Sequence, residues 1–171
     1  GKSLWSDESY GDFDMICDWK WTGEHQGKMM RPVIGLDGNT VKDESGKDKM
    51  VEVEERDSGI YLRGSSKSQV NIWSWPCGSG EVYGYRTDGS MPAEVRAAVT
   101  PRMNADAPIG QWNRFRIRMV GDLLNVWLNG KHVIVDAHLP GVAKEGPIAL
   151  QSHGCPIEFT NVMIERLDGR K

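Results

Sequence analysis

Alternation of apolar and polar residues at every second position is the feature of this sequence that most restricts its fold. In the stretch "DFDMICDWKW", one face of an extended chain carries apolar side chains, and the other is charged apart from Ile16. A period of two is typical of a half-buried β-strand, whose side chains point alternately to the core and to solvent. The stretch is therefore predicted to be a strand with one wet face.

The same pattern recurs along most of the chain. Further predicted strands are "SGIYLRG", "SQVNIW", "RFRIRMV", "LLNVWLNG", "KHVIVD", "PIALQS" and "PIEFTNVMIERL". Asn129-Gly130 is the strongest hairpin signal, and only "MPAEVRAAV" is suited to a short helix. Many short strands with almost no helix predict an all-β fold, an antiparallel two-sheet sandwich or jelly roll. We expect Trp19 and Trp112 to be buried between the sheets.

Composition and length limit the classes of function. The 171 residues suit a single domain, residues 1–171, and the net charge of -3 is spread without a basic stripe, so nucleic acid is not an expected partner. No apolar run approaches the roughly 20 residues that span a bilayer, and we expect no signal peptide in the first residues. Cys17, Cys77 and Cys155 form no Cys-x-x-Cys motif. Three reduced thiols are expected, with one disulfide and one free thiol as the alternative.

Two segments interrupt the alternation. Residues 35–56, "GLDGNTVKDESGKDKMVEVEER", are polar and rich in turn formers, which predicts a surface excursion with a small hairpin at about 43–49. The acidic residues Glu52, Glu54 and Glu55 are either a solvated face or a cation site. The second segment, "PCGSGEVYGYRTDGSMPAE", lacks the strand-then-helix context of a phosphate loop and is interpreted as a loop that carries tyrosines.

Six side chains on or beside the predicted strands form a candidate sugar-binding face. They point away from the apolar residues of their strands or project together from the following segment: Arg63, Gln69, Asn71, Trp73, Tyr83 and Tyr85. Amides and a guanidinium offer paired hydrogen-bonding groups to hydroxyls, and aromatic rings can stack on the apolar face of a sugar. The same polarity also fits an ordinary solvent-facing surface.

Several longer stretches resemble a known family. "YGDFDMICDWKW", "DSGIYLRG", "EVYGY", "QWNRFRIRMVGDLLNVWLNGKHVIV" and "GPIALQSHGCPIEFTNVMIERL" are similar to the 3-keto-disaccharide hydrolase family, from about residue 4 to residue 167. Ser-Gly-Ile-Tyr-Leu-Arg, Trp-Leu-Asn-Gly and Gln-x-His-Gly are specific as a set. The resemblance implies a concanavalin A-like jelly roll of bacterial extracytoplasmic proteins, in the periplasm or at the cell surface. It also implies action on glycosides or disaccharides whose sugar ring carries a ketone at carbon 3.

The resemblance also carries over individual residues. Gln151 and His153 lie in the Gln-x-His-Gly motif and are implied to be active-face residues, as is Arg63. The chain departs from the family at two positions. Gln69 stands where the family often has glutamate, and Asp57 stands where it often has asparagine.

A ketone at carbon 3 changes the catalytic groups that a glycosidase needs. It acidifies the hydrogen on the neighbouring carbon, so one base can remove that proton while the glycosidic oxygen leaves, after which water adds. Histidine suits this task with a pKa of about 6.5. The two carboxylates of ordinary retaining glycosidases are not needed, and the Glu-x-Asp-x-x-Glu signature is not present.

We therefore predict catalytic roles for His153 and Arg63, with Arg63 or a bound divalent cation stabilising the enediolate. The imidazole is expected to reach the space bounded by Arg63, Gln69 and Tyr83. The predicted substrate-binding residues are Gln69, Asn71, Trp73, Tyr83, Tyr85 and Gln151. A non-catalytic carbohydrate-binding module is the alternative, and a structural sandwich module of a larger surface protein is a third possibility.

Overall fold

Eleven strands and two short helices are present in the computed structural model, which describes residues 3–167 and 169. The strands are β1 (Leu4–Tyr10), β2 (Phe13–Trp21), β3 (Lys28–Pro32), β4 (Met50–Glu54), β5 (Asp57–Leu62), β6 (Ser65–Trp73), β7 (Asn113–Val120), β8 (Leu123–Leu128), β9 (Lys131–His138), β10 (Gly146–Leu150) and β11 (Ile157–Arg166). The helices are α1 (Tyr83–Arg86) and α2 (Ala93–Ala98). None of the described helices is long and apolar enough to cross a membrane.

The strands form two antiparallel sheets and a separate ribbon. The four-stranded sheet has the order β1-β10-β5-β6, and the five-stranded sheet has the order β11-β2-β7-β8-β9. β3 and β4 pair only with each other in the described fold and form the ribbon. The predicted all-β antiparallel sandwich is confirmed.

The core lies between the two sheets and follows the alternation of the strands. All five side chains of the apolar face of β2 are buried: Phe13, Met15, Cys17, Trp19 and Trp21. The four-stranded sheet covers them with the apolar faces of β5 and β6: Ile60, Leu62, Val70 and Ile72. Each large apolar side chain buried in this way contributes about 1.5–3 kcal/mol.

The two tryptophans expected in the core have different environments. Trp19 is 1% exposed, as predicted, whereas Trp112 is 46% exposed, so that prediction was wrong. Trp112 precedes β7 and has the parity of Arg114 and Arg116, which is the solvent side of that strand. The Lys20 ammonium lies 4.6 Å from the centroid of its ring, so the indole packs on the outer surface of the five-stranded sheet.

The excursion at 35–56 is more ordered than its composition indicates. Its end contributes β4, and the expected hairpin closes with a hydrogen bond of 2.7 Å from the Asp43 N–H to the Lys47 carbonyl. Most of its side chains are exposed, but Glu55 and Arg56 are buried. The segment therefore contributes buried side chains to the protein and is not entirely a surface loop.

All three cysteines are unpaired and buried. Burial raises the pKa of Cys17 to about 12, with a smaller contribution from the neighbouring Asp18. Burial also raises the pKa of Cys77. Cys155 donates its Sγ–H to the Glu55 carbonyl at 3.6 Å.

That last contact helps to hold the loop from Gln151 to Pro156, which crosses from the four-stranded sheet to the five-stranded sheet. Gln26 Nε2 donates to the His153 carbonyl at 2.5 Å. Gly154 adopts a φ of +93°, and a Cβ at this position would meet the Gln26 amide. The turn therefore needs glycine for both its backbone conformation and its close approach to Gln26.

Candidate functional site

A histidine–aspartate pair lies where three strands of the four-stranded sheet meet the crossing loop. Asp57 begins β5 and is the Cα partner of Trp73 at the end of β6, while His153 follows β10. His153 Nδ1 lies 3.0 Å from Asp57 Oδ2, and the His153 side chain is 55% exposed. A carboxylate at Nδ1 orients the ring and favours a proton on that nitrogen. In that tautomer Nε2 keeps its lone pair and can accept a proton.

A chain of amides approaches the same imidazole across the outer face of the sheet. Gln69 Nε2 donates to Gln151 Oε1 at 2.5 Å and to the Ser58 carbonyl at 3.3 Å. Gln151 Nε2 lies 3.2 Å from His153 Nδ1. Gly59 lies beneath the Gln69 amide, and a Cβ at this position would collide with it. Glycine in β5 therefore allows a side chain of β6 to reach β10.

Burial controls the charge of Asp57. Burial raises the pKa of this carboxyl and Glu55 adds to the effect, while His153 and Arg31 oppose it. Asp57 Oδ1 is buried and has no hydrogen-bond partner in the structure. The carboxyl consequently holds a proton more readily than an exposed aspartate.

An aromatic stack flanks this pair and is made of Trp73, Trp75 and Tyr83. The rings of Trp73 and Trp75 are stacked with centroids 4.1 Å apart and planes 2° apart. The Tyr83 ring meets both indoles edge-on, at 5.8 and 5.9 Å. The Arg31 guanidinium lies 4.5 Å from the Trp75 centroid, and Glu55 holds it with bonds of 2.9 and 2.5 Å. Trp75 is therefore enclosed, and Tyr83 is the exposed ring of the stack.

The structure brings together most of the predicted substrate-binding residues. Gln69 and Gln151 contact the His153 cluster directly, as described above. Asn71 is buried beside them, and its Oδ1 accepts from the Tyr83 N–H at 3.3 Å. Trp73 Nε1 donates to the Gly78 carbonyl at 2.9 Å, which fixes its ring in the stack.

Arg63 lies elsewhere, so the expectation that it borders the His153 site was wrong. Asp57 begins β5 and Arg63 follows its last residue, so the length of the strand, roughly 17 Å, lies between them. The Arg63 side chain is 1% exposed, and its guanidinium donates to three backbone carbonyls. These carbonyls belong to Gly11, Gly121 and Ala143. Arg63 therefore holds these three backbone segments together at the other end of the sandwich.

Tyr85 also lies outside the cluster, because "VYGYR" forms a helix. Residues two apart on a helix point to nearly opposite sides, so Tyr83 and Tyr85 do not project together. Tyr83 is 42% exposed, whereas Tyr85 is 2% exposed. The Tyr85 hydroxyl donates to the Pro140 carbonyl at 3.2 Å. The interpretation of this segment as a plain loop missed the turn of helix.

Four residues of the site were not in the predicted set: Asp57, Glu55, Arg31 and Trp75. Asp57 has the parity of Gly59 and Tyr61 on the outer face of β5, so the alternation contained a signal for it. Glu55 was considered only as part of a solvated or cation-binding acidic group, and the structure pairs it with Arg31. Arg31 lies in the ribbon, and no local pattern in the sequence connects it to this site.

Metal-binding donors are limited around His153. Asp57 and His153 supply two groups of the type that hold divalent cations. Among residues 3–167, no group of three or more His, Cys, Asp or Glu side chains is arranged to hold a metal ion. The divalent cation considered from the sequence stays a prediction.

Comparison with known proteins agrees with this architecture. Residues 1–165 match the family described as the 3-keto-alpha-glucoside-1,2-lyase-like domain, and the chain belongs to that family. No curated protein matches the chain at a significant level.

Solved structures with the same fold include two candidate glycosyl hydrolases from Parabacteroides distasonis ATCC 8503. One is 18% identical with a TM-score of 0.60, covering 97% of this chain and 83% of the other. The second is 15% identical with a TM-score of 0.55, covering 97% of this chain and 74% of the other. A carbohydrate-binding module, CBM66 from Bacillus subtilis, is 16% identical with a TM-score of 0.46, covering 95% and 80%. The first two likenesses support the sandwich fold.

Proposed function

We propose that this domain cleaves glycosides whose sugar ring carries a ketone at carbon 3, with His153 as the base. The observation that carries the proposal is the contact of 3.0 Å between His153 Nδ1 and Asp57 Oδ2, on a half-exposed ring. Membership of the 3-keto-alpha-glucoside-1,2-lyase-like family supports the choice of substrate class. An extracytoplasmic location, by resemblance to bacterial secreted or surface proteins, is part of the same proposal.

The reaction begins with a proton transfer. The ketone at carbon 3 acidifies the hydrogen on carbon 2, and His153 Nε2 accepts that proton. The electron pair of the broken C–H bond forms a double bond between carbons 1 and 2. The bond from carbon 1 to the glycosidic oxygen breaks with its electron pair on oxygen, and that oxygen takes a proton. Water then adds across the double bond, which gives net hydrolysis.

The neighbouring side chains position the base. Asp57 keeps the proton on His153 Nδ1 and stabilises the imidazolium that forms, because the two atoms stay in hydrogen-bond contact. The Gln69–Gln151 pair also contacts the imidazole at Nδ1 and limits its rotation. Holding a base in the geometry of reaction removes orientational entropy from the barrier.

The developing negative charge on the substrate needs a positive or hydrogen-bonding partner. Arg63 cannot provide it, because it lies beyond the far end of β5 and its guanidinium is bonded to backbone carbonyls there. A divalent cation beside Asp57 and His153 would polarise the ketone as a Lewis acid. The chelator arm of the experiment below tests this requirement.

The experiment compares two His–Asp pairs of the chain. His138 Nδ1 lies 3.1 Å from Asp122 Oδ1 at an exposed turn, so this pair is a matched control for His153–Asp57. His153→Ala, Asp57→Asn, His138→Ala and Asp122→Asn are assayed with 3-keto-trehalose and a 3-keto-glucoside, with and without a chelator. Release of sugar or aglycone is the measurement.

We expect His153→Ala to lower turnover about a hundredfold or more, because the base is lost. Asp57→Asn should lower it about tenfold or more, since a neutral amide would no longer stabilise the imidazolium that forms. His138→Ala and Asp122→Asn should retain wild-type rates. Equal rates in all four variants would contradict the role of His153.

The exposed Tyr83 ring and the amides beside it favour a second candidate function, a non-catalytic carbohydrate-binding module. In that case His153 would only donate or accept a hydrogen bond with a sugar hydroxyl. Saturable binding of the 3-keto-glucoside with no turnover in the wild type, with or without added divalent metal, would support the binding module and exclude the enzyme.

A further inference from the structure

An exposed aromatic pair lies on the outer face of the four-stranded sheet, outside the His153 cluster. Trp5 of β1 and Tyr61 of β5 are both Cα partners of Ala149 in β10. Their ring centroids are 5.6 Å apart, with the ring planes tilted by 42°. Ala149 lies between the two residues, and its small methyl group allows side chains of the neighbouring strands to meet. We name Trp5 and Tyr61 the aromatic platform.

The aromatic platform presents ring surface to solvent. Trp5 is 43% exposed and lies on an edge strand of its sheet, and Tyr61 is half-buried. Flat apolar rings pack against the C–H groups of a sugar, and the indole N–H and the phenol hydroxyl can bond to sugar hydroxyls. Because each side chain rotates about only two bonds, ordering them on binding costs little entropy. The platform therefore fits a pyranose ring.

The aromatic platform is continuous with the His153 cluster along the strands. Asp57 and Tyr61 are four positions apart on the same face of β5, and so about 13 Å apart along the strand. Gln151, which contacts the His153 ring, lies between them, since its N–H donates to the Gly59 carbonyl at 2.8 Å. A saccharide of two linked rings can extend from the histidine to the platform over this amide.

We propose that the aromatic platform binds the second pyranose ring of a disaccharide substrate, the ring that leaves with the glycosidic oxygen. The oxidised ring then lies over the paired amides of Gln69 and Gln151, within reach of His153. The assignment of the platform ring as the leaving group rests on the function proposed for His153. The stacking itself needs no reaction, so binding can be measured separately from turnover.

A platform for the leaving ring determines which glycosides are preferred. A methyl leaving group is too short to reach the aromatic platform, whereas a glucosyl group can cover it. Contacts that hold the leaving ring equally in the ground state and the transition state lower KM and leave kcat unchanged. The platform should therefore favour oxidised disaccharides over oxidised methyl glucosides through KM.

The first experiment compares two tryptophans of similar exposure. Trp5→Ala removes the indole of the platform, and Trp112→Ala removes an indole that is 46% exposed on the outer surface of the other sheet. Both variants are assayed with 3-keto-trehalose and with methyl 3-keto-glucopyranoside. We expect Trp5→Ala to raise KM about tenfold for 3-keto-trehalose only, with kcat unchanged. Trp112→Ala should change neither KM.

Two controls address the fold and the kind of ring. Trp5→Leu and Trp112→Leu repeat the comparison with apolar bulk retained, in case alanine destabilises β1. Phenyl 3-keto-glucopyranoside offers a flat ring that is not a sugar. A dependence of KM on Trp5 with the phenyl glucoside alone would overturn the assignment to a sugar. An unchanged KM for 3-keto-trehalose in both Trp5 variants, or an equal rise for the methyl glucoside, would overturn the platform.

Binding without reaction separates this proposal from the one for His153. 3-keto-trehalose is titrated into the His153→Ala variant, and the indole N–H resonances, assigned with Trp→Phe variants, are followed by NMR. We expect a saturable shift at Trp5 and none at Trp112. This shift without turnover in the wild type would support the platform and contradict the reaction. Lack of the shift would overturn the platform, whether or not the wild type turns over.

Discussion

At the scale of single residues, the buried pair of Glu81 and Arg86 shows how a charge is held inside this fold. Glu81 precedes α1 and is fully buried, and the Arg86 Nε donates to its Oε1. Its Oε2 is buried and has no hydrogen-bond partner among the residues that the structure describes. Burial raises the pKa of Glu81 to about 7, and the attraction of Arg86 only partly offsets this. The carboxyl is therefore more easily protonated in the folded than in the unfolded chain.

This shift predicts a dependence of stability on pH. Because the folded pKa is raised, the stabilisation from the bound proton is full below about pH 4.5 and is lost as pH rises through about 7. Glu81→Gln removes the titration, so its stability relative to the wild type should rise by about 3 kcal/mol between acidic and alkaline pH. Urea unfolding of both proteins at several pH values measures this difference. A constant difference across the range would contradict it.

The residues of the candidate site show what alternation can and cannot predict. Alternation correctly placed Gln69 and Asn71 on one outer face, and the family motif identified His153 and Gln151. The alternation also put Arg63 on that face, but a period of two says nothing about how far apart two residues lie along the strand. Proximity depends on strand order and register, which are long-range properties of the sheet.

At the scale of secondary structure, the two ends of the ribbon of β3 and β4 differ. The turn at its tip makes few contacts with the rest of the protein, whereas its base packs closely against it. The turn at 43–47 is exposed, and its hydrogen bonds are internal: the N–H groups of Ser45 and Lys47 donate to Asp43 Oδ1. At the base, Arg31 fixes the buried Glu55 carboxylate and covers Trp75. The two ends should therefore respond differently to mutation.

Shortening the tip should have little effect on stability. Replacing residues 43–47 with Asn-Gly joins the bridged pair Lys42 and Asp48 by a two-residue turn, and we expect Tm to stay within about 2 °C. Arg31→Ala is the contrasting change in the same ribbon. It leaves the buried Glu55 carboxylate unpaired and should cost about 3 kcal/mol or more. Thermal and urea unfolding distinguish the two variants, and a large loss with the shortened turn would show that the tip is structural.

Secondary structure was predictable where the alternation was sustained. Every strand of the two main sheets except β1, and the short helix α2, were predicted from the sequence. Helix α1 was missed because four residues, one of them glycine, carry no helical period. The burial of Glu55 was missed because its neutralising partner comes from β3, 24 positions earlier in the chain.

At the scale of the whole molecule, the two ends of the sandwich are built differently. One end holds the His153 cluster. At the other end, Arg63 joins three separate loops through the carbonyls of Gly11, Gly121 and Ala143, with bonds of 2.6 to 3.0 Å. The sequence predicted two packed sheets. It did not predict which end holds the candidate site and which end Arg63 stabilises, since both ends are rich in glycine and polar residues.

Arg63→Lys should therefore reduce stability and leave catalysis intact. An ammonium cannot reproduce the planar set of donors, so buried carbonyls lose partners and unfolding should become easier by about 2–4 kcal/mol. Arg114→Lys, in a pair with Asp18 whose arginine side chain is 55% exposed, should cost less than about 1 kcal/mol. Urea unfolding and turnover per folded molecule are measured together. Lost turnover with unchanged stability would restore a catalytic role for Arg63.

The rate at which the three buried thiols are alkylated can measure how often this domain opens. The thiolate is the form that reacts with alkylating agents, and a pKa of about 12 for Cys17 leaves almost none of it near neutral pH. Cys77 and Cys155 are shielded by the packing around them. Alkylation of the native domain should consequently be slow, and its rate should report how often the sandwich opens rather than how reactive any one sulfur is.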